Sequence, residues 1–352
     1  MLNRIIRIMA TAAACALLLA GCSIRLDDPA QIAGGSISFN AGSALLLDDA
    51  KLTKTGTLKT GTSFTTGDAF IAWAWHFAAQ QHFTFGATTP ITLGSGGDWD
   101  YAPHQFWNWY EEDDHYDFLA IYPADKDITH TAATLSNPNL KATILYDATD
   151  DQYDLMAAGY RRDDKTLTQV PLTFNHMLSA VSVRVLNSSN SVNSIGDPLT
   201  ITLKSCQFVN LVTESSISVT FTGLSLSVQN TGNPNTTPAL GPSIPANTEL
   251  APGEGYPTVD EWDLMIPQNL NLQSGDLPPV LRIVYNKGEE DITEDLPLKD
   301  IKNATTNEPI TSWEQGVKYN YQIELRLGVG IVVTVETTPW EIVEAQTPGL
   351  MI

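Results

Sequence analysis

The chain has 352 residues and carries 40 Asp and Glu against 19 Lys and Arg, which gives a formal net charge of −21 at pH 7. This acidity argues against nucleic acid and anionic lipid as partners. Binding to phosphate requires clusters of Lys and Arg, and the largest basic cluster of the chain is Arg161-Arg162.

Residues 1–21 have the pattern of a lipoprotein signal peptide. Arg4 and Arg7 precede an apolar run from Ile8 to Ala20, and the small residues at its end lead directly to Cys22. The run is too short to span a bilayer as a mature helix and is typical of an export signal. The sequence therefore predicts cleavage before Cys22 and acylation of that cysteine, with an ordinary secreted protein as the alternative.

Removal of this segment changes the charge and the cysteine content. It takes away Arg4 and Arg7 and no acid, which lowers the formal net charge from −21 to −23. Cys206 then has no disulfide partner besides the lipidated Cys22, so we expect it to be a small buried residue and we expect no cysteine metal cluster. Hydrophobic cores must stabilise the fold, and a chain of this length is expected to have about two.

The residues after the predicted signal peptide fall into regions of different amino-acid composition. Residues 22–35 are mostly small and polar, as expected for a tether between the lipid and the first strand. Residues 70–122 are dense in aromatic side chains, and a polar stretch at residues 161–165 indicates a domain joint. The predicted domains are residues 36–165 and residues 166–352.

Alternation of apolar and polar side chains predicts strands rather than helices. From Val317 to Leu327 every second residue is apolar, which is typical of a long half-buried strand. Gly328 and Gly330 separate it from the next strand, so the two could form a hairpin. Many short strands between turn residues indicate an all-β fold of sandwiches or barrels. The shorter alternations are Val181/Val183/Val185, Leu199/Ile201/Leu203, Leu281/Ile283/Tyr285 and Ile331/Val333/Val335.

The motifs of common enzymes and cofactor sites are missing from the sequence, which predicts no catalysis and no cofactor. The six histidines show no ligand spacing, and His176 is interpreted as a structural histidine bonded to nearby backbone. The acidic run at residues 111–117 could bind calcium, although a solvated acidic turn is the favoured interpretation.

A sugar site is the alternative interpretation of the aromatic first half. Asp98 and Asp100 flank Trp99, and aromatic faces stack on pyranose rings while carboxylates bind hydroxyls. Trp99, Trp107 and Trp109 are therefore candidate ligand contacts, although tryptophans of a β-sandwich belong more often to its core.

Several segments, in their order along the chain, resemble the fimbrillin family, the β-sandwich subunits of type V pili in Gram-negative anaerobes. The most specific is Leu172–Val181, with the sequence LTFNHMLSAV. The others are Ile37–Phe39, Thr53–Thr55, Phe64–Asp68, Phe70–Ala74, Phe118–Pro123, Asp154–Ala157, Trp313–Gly316, Tyr319–Tyr321 and Pro339–Trp340. The resemblance covers most of the mature chain.

The resemblance implies two tandem transthyretin-like β-sandwich domains in a palmitate-bearing lipoprotein of the outer-membrane surface. In such pilins a protease releases the first strand, and a C-terminal donor strand of the next subunit fills the groove by strand addition. In this chain the released strand would lie at residues 37–47. The donor would be drawn from residues 331–352, with Ile331, Val333 and Val335 as candidate donor residues.

The chain departs from this pattern at both ends. Processing in stalk subunits follows an arginine, but none occurs between Arg25 and Arg161, which leaves Lys51, Lys54 and Lys59 as candidate processing sites. Either the protease has another specificity, or the subunit keeps its lipid and acts as an anchor or accessory protein. Pro348 would also shorten a donor formed by the last residues, which fits a tip or terminal position.

The sequence therefore predicts a structural or accessory subunit of a surface fimbria that supports adhesion. Its expected partners are other fimbrial subunits, the outer membrane through the lipid, and a glycan or protein of a host or bacterial surface. The alternatives are a surface lipoprotein that binds glycans and a hydrolase that uses Asp98 and Asp100.

Overall fold

The structure is a computed structural model that describes most of the chain after residue 31. The described ranges are residues 32–43, 51–52, 64–110, 113–150, 152–193, 195–232, 234–235, 240–245, 247–258, 261–271, 277–288, 290–326 and 330–339.

Strands are the regular elements of the described residues, apart from one short 3-10 helix at Leu298–Asp300. The first half contains β1 (Ile32–Ser36), β2 (Phe39–Ser43), β3 (Lys51–Leu52), β4 (Ala69–His76), β5 (Gln81–Phe85), β6 (Thr89–Leu93), β7 (Trp99–Ala102), β8 (Phe106–Trp109), β9 (Tyr116–Tyr122), β10 (Ile128–Thr131), β11 (Leu140–Asp147), β12 (Met156–Arg162) and β13 (Val170–His176). The second half contains β14 (Ser179–Asn187), β15 (Ile201–Val209), β16 (Leu211–Val212), β17 (Glu214–Phe221), β18 (Leu226–Thr231), β19 (Pro234–Asn235), β20 (Thr248–Leu250), β21 (Gly255–Tyr256), β22 (Glu261–Met265), β23 (Gln268–Asn269), β24 (Val280–Asn286), β25 (Asp291–Pro297), β26 (Ser312–Trp313), β27 (Val317–Arg326) and β28 (Gly330–Pro339).

The strands predicted from alternation are present, although β15 begins at Ile201, so Leu199 of that prediction lies before the strand. β27 covers the longest predicted strand as far as Arg326, and Leu327 lies outside the described residues. The apolar residues of β27 from Tyr319 to Leu325 are buried at every second position. β27 and β28 pair antiparallel at ten positions, from Val317 opposite Pro339 to Arg326 opposite Gly330, which confirms the predicted hairpin. The all-β fold class predicted from the sequence is confirmed.

The first half is organised around an eight-stranded sheet in the order β2-β13-β12-β9-β4-β6-β7, with β5 beside β4. One face carries Phe70 and Phe118 into an aromatic core, and the opposite face carries Trp73 and Leu119 into a second core that continues through the second half. β9 is buried at all seven positions, because both faces of the sheet are covered at its centre.

Two further sheets contribute to the second core. β28-β27-β14-β22-β3 forms a six-stranded sheet with β21 beside β14, and β20-β15-β24-β25 forms a four-stranded sheet. Another four-stranded sheet, β10-β11-β17-β18, combines two strands of the first half with two strands of the second half. In it β11 pairs with β17 from Leu140 opposite Phe221 to Asp147 opposite Glu214.

The polar stretch at residues 161–165 leads into a turn between neighbouring strands. β12 and β13 pair antiparallel within the eight-stranded sheet, so the joint predicted between residues 165 and 166 does not separate two sheets. Arg162 is 2% exposed and donates hydrogen bonds to the Thr168 hydroxyl and the Gln169 carbonyl, both at 2.8 Å. These bonds join the end of β12 to the residues just before β13. The division into two domains stays a prediction.

Candidate functional site

The N-terminal end of the described chain lies along one edge of the eight-stranded sheet. β2 pairs in parallel with β13, from Phe39 opposite Val170 to Ser43 opposite Phe174. Ile37 and Phe39 are both 0% exposed, whereas Ser38 between them is half-buried. The two-residue period of an extended chain therefore directs two apolar side chains of this edge segment into the aromatic core.

Phe39 fills the centre of that core. Its ring meets its neighbours edge to face or at a steep angle, the arrangement that aromatic rings prefer. The ring centroid lies 5.3 Å from Phe85, 5.7 Å from Phe70, 5.9 Å from Tyr101 and 6.2 Å from Phe118.

Backbone groups next to Phe39 are also bonded. Ile37 donates its N–H to the Gln105 carbonyl at 2.8 Å and accepts the Tyr101 hydroxyl at 2.8 Å, and Val170 donates its N–H to the Ser38 carbonyl at 2.8 Å. Burial raises the pKa of Tyr101 to about 12, so its hydroxyl stays protonated as a donor at neutral pH. The segment is thus attached by strand pairing, by two apolar anchors and by a side-chain hydrogen bond.

The same N-terminal segment pairs with three separate strands. β1 pairs antiparallel with β8, β2 pairs with β13, and β3 pairs in parallel with β22 of the six-stranded sheet. β1, β2 and β3 therefore cover strand edges that belong to sheets of both halves of the chain.

The candidate processing sites follow this segment. Lys51 opens β3, opposite Glu261 of β22. Lys54 and Lys59 lie outside the described residues, as do Cys22 and residues 44–47 of the strand predicted to be released. A cut after any of the three lysines would fall between β2 and β4 and would separate β1 and β2 from the rest of the chain.

The candidate donor residues belong to β28, the last strand of the six-stranded sheet. Val335 is 0% exposed, and Ile331 and Val333 are half-buried against the core. On the outer side of β28, Ala304 donates its N–H to the Val335 carbonyl at 2.7 Å. The donor residues are thus occupied within their own subunit, and the remainder of the predicted donor, residues 340–352, lies outside the described residues.

The candidate ligand contacts are core residues. Trp99 is 7% exposed, Trp107 1% and Trp109 0%, and all three belong to the aromatic core. Trp107 and Trp109 stack on each other at 5.3 Å, and Trp99 lies 4.8 Å from Phe70. None of the three rings presents a face to a solvent-borne sugar, which favours the core interpretation over the glycan-contact interpretation.

The residues weighed as metal or catalytic groups are mostly engaged within the fold. His176 bonds the buried Asp154 carboxylate at 2.7 Å through its Nδ1 atom, which fits the interpretation of His176 as a structural histidine. In the acidic run, Asp114 bonds His76 at 2.8 Å, and Asp117 accepts two hydrogen bonds from a neighbouring arginine. Across the described ranges, no group of three or more His, Cys, Asp or Glu residues could hold a metal ion.

Asp98 and Asp100 are both exposed on the loop and strand that surround Trp99. Asp100 bonds His104 at 2.9 Å at the surface, and this hydrogen bond holds the pKa of Asp100 below its ordinary value. Cys206 is fully buried, as predicted, and burial raises the pKa of its thiol. Among the described residues, no helix is both long enough and apolar enough to cross a bilayer.

The sequence does not predict Tyr101 and Gln105, the two residues whose hydrogen bonds hold Ile37. A lone tyrosine in an aromatic-rich stretch carries no signal for a partner 64 positions away. The sequence predicts Phe39 as part of a strand but not its place in the core, because its ring contacts come from the distant strands β4, β5, β7 and β9.

A family model described as fimbrillin-like matches residues 53–340, which is most of the sequence. The chain belongs to the fimbrillin-like family. The match begins after β3, so β1, β2 and β3 precede the region that the family model covers.

Solved structures of fimbrial proteins are similar to this fimbrillin-like chain. A fimbrial protein from Bacteroides vulgatus is 14% identical, with 78% of this chain and 93% of that chain covered and a TM-score of 0.44. A fimbrilin from Porphyromonas gingivalis is 11% identical, with 87% and 99% covered and a TM-score of 0.41. The tip fimbrial protein Mfa3 from the same organism is 10% identical, with 78% and 95% covered and a TM-score of 0.39. A comparison with curated protein sequences finds no match.

Membership of the fimbrillin-like family indicates a fimbrial subunit with a surface-associated, extracellular location. The family consists of structural rather than enzymatic proteins.

Proposed function

We propose that the chain is a fimbrial subunit whose N-terminal segment is a removable strand, and that subunits polymerise when a donor strand of the next subunit takes its place. The observation that carries the proposal is the position of β2 and the residues just before it: β2 is an edge strand, and Phe39 and the preceding Ile37 are both completely buried. Once the predicted signal peptide is removed, only the tether and β1 precede this segment.

Cleavage is required because the segment does not leave readily by itself. Full burial of a Phe or Ile side chain contributes about 1.5–3 kcal/mol each. Ile37 and Phe39 are both fully buried. The backbone hydrogen bonds of β1 with β8 and of β2 with β13 hold the segment further. After a cut near Lys51, Lys54 or Lys59 the segment becomes a separate peptide, and a donor with apolar residues at alternate positions can compete for the same pockets.

The donor is drawn from residues 331–352. β28 is paired with β27 at ten positions, so release of Ile331, Val333 and Val335 would break a complete hairpin ladder. Donation by the residues after Pro339 would leave that ladder in place. This difference favours the last residues as the inserted part, with β28 as the base from which they extend.

Cys22 would hold the unassembled subunit on the outer membrane through its acyl chains. The segment that links it to the fold is the one that processing removes, so a single cut would release both the lipid and the first strand. A subunit that escapes the cut would stay anchored, which would place it at the base of the fimbria. Adhesion to a host or bacterial surface is the function proposed for the assembled fibre.

Substitution of the three lysines tests the processing step. With Lys51, Lys54 and Lys59 all changed to Gln, we expect the subunit to retain its Cys22 N-terminus by mass spectrometry and to give no SDS-resistant ladder in unboiled extracts. The matched control changes Lys287, Lys299 and Lys302, which are exposed and lie in the second half, to Gln and should keep both the cut and the ladder. A processed N-terminus and a normal ladder in the first variant would refute the lysine assignment.

Two deletions locate the donor. Removal of residues 340–352 should abolish the ladder while the thermal midpoint of the unprocessed subunit stays unchanged, because β28 and its pairing with β27 remain. Removal of residues 331–352 should abolish the ladder and also lower the midpoint, since it uncovers β27 and takes away the buried Val335. A full ladder after the longer deletion would eliminate the C-terminal donor.

A further inference from the structure

One long segment of this acidic chain has no charge. Residues 215–248 contain no Asp, Glu, Lys, Arg or His, although 17% of the whole chain is charged. The segment forms most of β17, the whole of β18 and the turn between them, a hairpin on the sheet β10-β11-β17-β18.

β18 is one of the two edge strands of that sheet, and β10 is the other. The residues of β18 alternate between half-buried and exposed, with Leu226 and Val228 against the core and Ser227, Gln229 and Thr231 on the solvent face. All six residues pair with β17, and the described part of the chain supplies no strand or backbone group to the opposite side of β18. Within the described ranges, the outward N–H and C=O groups of β18 have no backbone partner, and such an edge can pair with an added strand.

Two other edge strands, β25 and β28, carry features that prevent such addition. β25 presents Asp291, Glu294 and Asp295, all of them exposed. β28 carries Glu336, and its Val335 already bonds a neighbouring segment of the same chain. Charged residues and bonded positions protect an edge from pairing with other chains. β18 has neither protection along its six residues.

We propose that the outer edge of β18 pairs with β18 of a second copy of this chain, so that the two four-stranded sheets join into one eight-stranded sheet. The partner follows from charge. Copies that each carry a formal charge of −21, or −23 without the predicted signal peptide, repel one another over most of their surface, and an uncharged edge allows the closest approach at the lowest electrostatic cost.

The chemistry of the edge is self-complementary. A two-fold axis perpendicular to the sheet makes the two β18 strands antiparallel and keeps their solvent faces on the same side. Ser227, Gln229 and Thr231 then meet the same set of side chains across the ladder, and hydroxyl and amide groups in such pairs form hydrogen bonds. Leu224, in the turn beside this edge, is 88% exposed and adds an unpaired apolar side chain.

The pairing is distinct from polymerisation by strand exchange. It uses neither the N-terminal segment nor the C-terminal residues, so it can occur in the unprocessed subunit. A single six-residue ladder is a small interface and gives a weak dimer. Along a fibre it would repeat once per subunit, and multivalency would convert weak pairs into lateral association of fibres.

Substitutions that place either a negative or a positive charge at the centre of the β18 edge test the proposal. Gln229→Glu and Gln229→Lys each put like charges opposite one another in the dimer. Both should weaken the dimer and raise its dissociation constant by about tenfold or more. Thr293→Glu and Thr293→Lys, at an exposed position of β25, are the matched controls and should dimerise like the original chain. Sedimentation velocity of the purified unprocessed chain over a concentration series measures the constant, and circular dichroism checks that each variant is folded.

Hydrogen exchange supplies a readout that needs no substitution. Amide protection in residues 226–231 of the original chain should rise with protein concentration, whereas protection in β25 should not. A chain that stays monomeric at every concentration would overturn the proposal, as would Gln229 variants that dimerise normally. A weaker dimer with Glu but a stronger one with Lys would also overturn it, because that result reports net charge rather than edge pairing. The SDS-resistant ladder is expected to be unaffected by Gln229 substitutions.

Discussion

Replacement of Phe39 by Ala is the sharpest probe of the N-terminal segment. The ring is 0% exposed and contacts four other aromatic rings at centroid distances of 5.3 to 6.2 Å. Truncation of a buried Phe to Ala costs about 3–5 kcal/mol, because transfer free energy is lost and a cavity remains. β2 is an edge strand that can partly collapse into the gap, so we expect about 3 kcal/mol.

Guanidinium unfolding of the unprocessed chain, followed by tryptophan emission, measures this loss. The emission is a suitable signal because Trp99, Trp107 and Trp109 belong to the same core as Phe39. Phe106→Ala is the control, since Phe106 is 59% exposed and should change the free energy of unfolding by less than about 0.5 kcal/mol. Equal losses in the two variants would show that β2 does not anchor the segment through Phe39 and would refute the reasoning.

Three other perturbations address the packing between sheets. Gly159→Ala should lower the free energy of unfolding by about 1–3 kcal/mol, because a Cβ at this position would collide with the Phe221 ring, and Phe221→Leu should recover part of the loss in a double-mutant cycle measured by chemical unfolding. Burial lowers the pKa of His82, and it lowers the pKa of the neighbouring His130 from 6.5 to about 4. The unfolded chain therefore binds more protons below pH 6.5, and the free energy of unfolding should fall as the pH drops from about 6.5 towards 4. A His82→Phe, His130→Phe double variant should show a shallower fall in the same titration. Cys206 should react with a thiol reagent only after unfolding, which a timed assay with and without denaturant will show, because the side chain is 0% exposed and burial raises its pKa.

Periodicity was sufficient to find the strands because it reflects one local property, the alternation of buried and exposed side chains. Val317–Leu327 is the clearest case, and β27 buries Tyr319, Tyr321, Ile323 and Leu325 as the alternation requires. The pairing of strands that are distant in sequence has no such local signal. β2 pairs with β13, and nothing in the residues of either strand specifies the other.

The polar stretch at residues 161–165 shows a second limit. Arg161 and Arg162 have the composition of a linker, but Arg161 forms two hydrogen bonds with Asp117, at 2.6 and 2.8 Å, and Arg162 is buried. Amino-acid composition predicts that both side chains are solvent-exposed, because it carries no information on the residues that they contact in the fold. For the same reason the tryptophans could be assigned either to a core or to a ligand site, and only their burial favours the core.

The arrangement of edges connects the proposals for processing and for pairing. β1, β2 and β3 follow one another in the sequence but cover β8, β13 and β22, so one cut after β2 would change the edges of more than one sheet. Covered edges do not accept strands from other chains, which would keep an unprocessed subunit from polymerising during export. The edge of β18 lies in another sheet and is not covered by this segment. Pairing at β18 should therefore be independent of processing, and the dissociation constant of the β18 dimer should be the same before and after the cut.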